Sequence, residues 1–178
     1  MAGIKAPIQD IMARLTTEAG ISFVRVWNNQ LQWMEQQQIE AFPFPAAFVE
    51  VQMPNSYDQA AMGITVSDVV FRVHLCTVEY DAQDGTMEQN LSIFTLRDTV
   101  IKALTYYKPT GCGNLQKVNE EQDYQHTNVY HYIVDFKCAF VDDKGDTRQG
   151  QITTGPPTDV EIDPTIETVI TPVIWPAP

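Results

Sequence analysis

Apolar residues recur along this chain with two periods, and the switches between them divide it into elements. From Ile4 to Ala19, Ile4, Ile8, Ile11 and Leu15 return at spacings of four, three and four, which places them on one helix face. Pro7 suits a first helical turn, where its missing N–H has no intrahelical partner to lose. Gly20 supplies a C-terminal stop. "ISFVRVWNNQ" predicts a short strand and a turn. "LQWMEQQQIEAF" fits either a short helix or a strand. In "PFPAAFVEVQM" two prolines argue against a helix before Ala46, and "AAFVEVQ" predicts a strand.

The stretch from Met53 to Met62, "MPNSYDQAAM", has turn chemistry and reads as an exposed connection. Tyr57 and two methionines are apolar for a solvated loop, which makes Tyr57 a candidate interface residue. "MGITVSDVVFRVHLCTVEYD" holds a long strand with Phe71, Val73 and Leu75 on one face and Arg72, His74 and Cys76 on the other. A second helix is predicted over Glu88 to Tyr107, with Ile93, Leu96, Val100, Leu104 and Tyr107 as its stripe, stopped by "KPTGCGN". "LQKVNEEQDY" reads as a polar strand. Gln125 to Gly145 then alternates with period two. Tyr130, Tyr132, Val134, Phe136, Cys138 and Phe140 form an apolar face expected to pack under the helices. The opposite face, with His131, Asp135 and Lys137, is expected to look toward solvent, a neighbour or a lumen.

This order predicts an α+β fold, a mostly antiparallel sheet with two helices on one face, over residues 1–143. Residues 144–178 differ: they hold six of the eleven prolines, an acidic excess and no helix period. They also contain Val160, Ile162, Ile166 and Trp175, apolar residues that disordered tails tend to lack. We expect an extended C-terminal arm with these four as interface residues, docked on its own domain, on a neighbour or on another partner.

Composition narrows the classes. At 178 residues and 44% hydrophobic content the chain can build a core. Three cysteines without regular spacing do not suggest a disulfide framework. The N-terminus lacks a signal-peptide pattern, and no apolar run is long enough to span a membrane. A net charge of −12 disfavours a surface that grips nucleic acid through its phosphates.

Candidate chemistry is sparse. There is no GxGxxG, P-loop or GxSxG motif, and no nucleophile with an orienting base can be named. His74, Cys76 and Cys138 would make a zinc site if two strands aligned them, but a partly exposed histidine with two buried thiols is the simpler reading. His126 and His131 read as solvated residues on opposite faces, and Glu120, Glu121 and Asp123 as a solvated acid run. We therefore expect no enzyme activity, no cofactor and no metal.

The element order resembles the tail terminator (tail completion) proteins of long-tailed bacteriophages. The stretches that carry the resemblance are the helix "PIQDIMARLTTEAG", the proline-led strand "PFPAAFVEVQ" before a variable loop, the long strand "VSDVVFRVHLCTVEYD", the helix "LSIFTLRDTVIKALTYY" and the closing strand "VYHYIVDFKCAFVDD". The likeness spans residues 4–143 and rests on no invariant residue; the arm lies outside it. It implies a homo-oligomeric, usually hexameric, ring in the virion tail or neck, assembled in the host cytoplasm. Such a ring caps the tail tube and joins it to the head connector, while genome DNA passes through an acidic lumen without specific binding. Another neck, head-completion or tail-tube subunit is the nearest alternative. A small-molecule or metal-binding α+β module is a third reading, from a different class.

Overall fold

Each apolar period finds its element. A computed structural model describes residues 3–36, 42–53, 57–61, 63–78, 92–126 and 129–145. The chain divides into two units, Met1–Thr147 and Arg148–Pro178. All of the second unit lies outside the described residues, and with it Val160, Ile162, Ile166 and Trp175 of the predicted arm.

The described residues form three helices, α1 (Lys5–Thr17), α2 (Gln30–Glu35) and α3 (Ser92–Leu104). They also form six strands: β1 (Phe23–Val26), β2 (Ala46–Gln52), β3 (Asp58–Ala61), β4 (Ile64–Thr77), β5 (Gln116–Asp123) and β6 (Tyr130–Asp142). The fold is α+β. The sheet runs β1-β2-β4-β6-β5, with β3 also on β4, and every pairing is antiparallel except β1 with β2.

One face of the sheet carries the main core. Ile11 and Leu15 of α1 and Ile93, Val100 and Leu104 of α3 join Phe71, Val73, Leu75, Val134, Phe136 and Phe140 there. Register explains which residues meet. Phe71 faces Phe136 and Val73 faces Val134, so the apolar sets of the two long strands share a face. Gly20 stops α1 with a φ of 67°, and the Ile21 N–H reaches back to the Leu15 carbonyl at 3.3 Å. Arg14 of α1 donates to the Ala103 carbonyl of α3 at 3.2 Å, which ties the two helices together.

One open reading of the sequence is resolved and two are corrected. The ambiguous "LQWMEQQQIEAF" begins as helix α2, and α2 lies on the other face of the sheet. There Leu31 joins Phe42, Ala46, Phe48, Cys76 and Val129 in a second, smaller core. Asp58–Ala61 is strand β3 rather than loop. Its "DQAA" lacks strand propensity, and backbone pairing to a long neighbour holds it instead. From Gln52 to Asp58 the chain advances six positions while its partner moves four, Val70 to Val66, so β2 and β3 pair with successive parts of β4. Pro54–Ser56 and Met62 lie outside the described residues. Tyr57 itself is half exposed. Finally, the second face of β6 is not solvated: His131, Ile133 and Asp135 are buried. Lys137 does stay exposed, beside Asp68 at 2.8 Å.

Candidate functional site

That second face of β6 gathers the densest chemistry among the described residues. The antiparallel register sets Arg72 across from Asp135, His74 across from Ile133, and Cys76 across from His131. Arg72 clasps Asp135 with two bonds, 2.8 and 3.0 Å, a fork geometry suited to a carboxylate. Asp135 is only 5% exposed, so the pair satisfies a charge that would otherwise be costly to bury. The carboxylate in turn pushes the Arg72 pKa up.

Beside this pair all three histidines of the chain converge. A continuous row of contacts runs from Glu50 on β2 to Glu35 on α2. His74 Nε2 lies 3.3 Å from Glu50 Oε2, and His74 Nδ1 lies 2.9 Å from His131 Nε2. His131 Nδ1 lies 3.1 Å from Asp123 Oδ2. His126 Nε2 lies 3.7 Å from that same oxygen, and His126 Nδ1 lies 3.1 Å from Glu35 Oε1. The other oxygen of Asp123 accepts the Gln125 N–H at 2.9 Å. Trp27, just past β1, covers the row by stacking on His74 with 3.9 Å between ring centroids. These residues line a cleft of about 610 Å³.

Burial sets the protonation. It pushes the His74 pKa down to about 3, helped by His131 and Arg72. It pushes His131 down to about 4, against the opposing pull of Asp123. Both rings are therefore neutral at neutral pH, with one N–H each. The contacts Glu50–His74, His74–His131 and His131–Asp123 each need a proton, three in all, and the two rings supply two. One contact is thus short of a proton, and two acceptors face each other there. Cys76, across from His131, remains a thiol because burial pushes its pKa up.

The residues singled out from the sequence fare unevenly. His74, Cys76 and Cys138 are not brought together: Cys138 faces Val69 on the main-core side, and Cys76 belongs to the smaller core on the other. His126 and His131 are not solvated on opposite faces, as strand parity suggested. His126 precedes β6, so parity does not govern it, and its ring lies 5.4 Å from that of His131. Asp123 belongs to this cluster rather than to a solvated run, and Glu120 is held by Arg97 of α3 at 2.6 Å. The sequence did carry one signal, ionisable residues sharing one face of each long strand: Arg72 with His74, and His131 with Asp135. Only register shows that the two rows meet. Among the described residues no helix is long and apolar enough to cross a membrane. No protein-family model and no curated protein matches this sequence.

Proposed function

We propose that this chain is a structural subunit of a phage tail terminator, a ring in the virion tail or neck that caps the tail tube and meets the head connector. Its role is assembly rather than catalysis. The observation that carries the reading is the arrangement of Met1–Thr147: an N-terminal helix and a central helix on one face of an open, mostly antiparallel sheet, in the element order of that family. A ring needs two unlike surfaces per subunit that fit each other. An open sheet offers its edges for this.

The two edges differ. β5 carries Lys117, Glu120, Glu121 and Asp123 and a register shift between Lys117 and Asn119, features that discourage further pairing. On the other side two short strands share the edge: β1 pairs only with β2, and β3 pairs with β4 and, among the described residues, with no other strand. Its entrance is marked by the half-exposed Met53 and Tyr57. The arm of a neighbouring copy supplies a matching donor. Val160, Ile162 and Ile166 suit strand addition, and Trp175 suits a pocket. The net charge of −12 fits a lumen that lets DNA pass.

Light scattering on purified protein, with electron microscopy of the same sample, tests the reading. A closed ring of about six copies, or ring formation on added tail-tube tips, is the expected result. A chain that remains monomeric both alone and with tubes overturns it. Binding along the tube wall instead of at its tip favours a tail-tube or other neck subunit.

A further inference from the structure

We propose that Asp123, His126 and His131 bind a divalent transition-metal ion of the zinc class, which fastens the β5–β6 connection to the sheet and to α2. The ring reading is not needed for this inference. Its basis is the placement of the donors. One atom from each of the three residues can be chosen so that all lie within 4.8 Å of one another. A tetrahedral ion with ligand bonds of about 2.0–2.2 Å spaces its ligand atoms about 3.3 Å apart. The measured spacings to Asp123 Oδ2, 3.1 Å from His131 Nδ1 and 3.7 Å from His126 Nε2, straddle that value.

What surrounds each donor is as telling as the donor itself. A metal-binding imidazole presents a lone pair to the ion and donates its other N–H to a fixed acceptor. His126 has Glu35 Oε1 on its far nitrogen, and His131 has His74 Nδ1 on its far nitrogen. His74 in turn reaches Glu50, which orients the row one step further out. Asp123 is held through its other oxygen by the Gln125 N–H. When these outer contacts take the ring protons, the remaining lone pairs of His126 and His131 both turn to Asp123 Oδ2. Three lone-pair donors then converge on one point, an arrangement that a bound cation stabilises. Two imidazoles and one carboxylate suit zinc and its neighbours rather than calcium or magnesium, which favour all-oxygen sites. Three protein donors leave one tetrahedral position for water or for an anion from the cleft.

The test uses the full chain without affinity histidines, stripped by chelator and titrated with cobalt(II) and then zinc(II). The expected result is one ion per chain at micromolar or tighter affinity, tetrahedral cobalt absorption bands, and displacement of cobalt by zinc. Trp27 fluorescence should change with the same stoichiometry, since the indole stacks on His74. Glu35→Gln, which removes an outer partner, should weaken binding about 10–100-fold, and His126→Ala or Asp123→Asn should weaken it more. Urea denaturation of the metal-free variants separates loss of a ligand from loss of fold, and Glu35→Gln serves if either ligand variant fails to fold. Absence of stoichiometric binding, or binding unchanged in the folded variants, overturns the proposal.

Discussion

At the scale of single residues, burial decides what the side chains can do. In an unfolded chain a histidine titrates near its ordinary value of about 6.5. In the folded chain His74 and His131 titrate near 3 and 4. Between those values the unfolded chain binds more protons, so acid favours unfolding. Stability is therefore full above about pH 6.5 and falls toward about pH 4, by about 1.4 kcal/mol per pH unit for each histidine. His131 is faced by Asp123, His126 and His74, and His74 by Glu50, Trp27 and His131. Metal-free protein unfolded in urea at a series of pH values should show this loss, and His131→Gln should flatten it. A parallel pH response in that variant would assign the acid sensitivity to carboxylates elsewhere. A different residue-scale constraint sits at Gly63, which has a φ of 86°. A Cβ built there would lie 2.0 Å from the Gly145 carbonyl oxygen. Gly63→Ala should lower the melting temperature, with a cost above the ~1 kcal/mol of a typical point substitution.

At the scale of elements, α3 is a core component and β3 a peripheral one. Leu104 is fully buried against the sheet, so Leu104→Ala should cost about 2–5 kcal/mol in chemical denaturation. An unchanged curve would make α3 dispensable to the core. Tyr57 is 48% exposed beside β3, so Tyr57→Ser should leave the unfolding curve of the monomer within about 0.5 kcal/mol and lower the oligomer's stability to dilution. Ring stability unchanged by that substitution would remove Tyr57 from the interface. The elements also show what alternation can tell. The even face of β6 was legible because burial under α1 and α3 demands apolar residues at every second position. The other face reads as turned outward, to solvent, a neighbour or a lumen, because His131 and Asp135 are polar. They are buried as partnered groups, Asp135 on Arg72 and His131 between His74 and Asp123. Pattern alone does not separate a solvated charge from a satisfied one.

At the scale of the whole molecule, the prediction concerns how copies join. Truncation after Gly150 removes Val160, Ile162, Ile166 and Trp175. If the arm bridges copies, the truncated chain keeps its melting temperature as a monomer and loses oligomer stability in light scattering. A lower melting temperature of the monomer would place the arm's contribution within its own chain and end the bridging proposal.

The sequence by itself determined the α+β class, the apolar faces of α1, α3, β4 and β6, and the stop of α1 at Gly20. These follow from local periodicity and backbone preference, which a single segment expresses without its neighbours. Tertiary structure alone decided that β2 and β3 pair with successive parts of β4 and that a short helix helps build a second core on the far face. It also brought together His74, His126 and His131, which lie far apart or out of strand parity in the chain. Their meeting depends on the register of β4 against β6 and on the path of the β5–β6 connection. Both are set by which apolar faces pack together over the whole sheet, and no local pattern around a histidine encodes them.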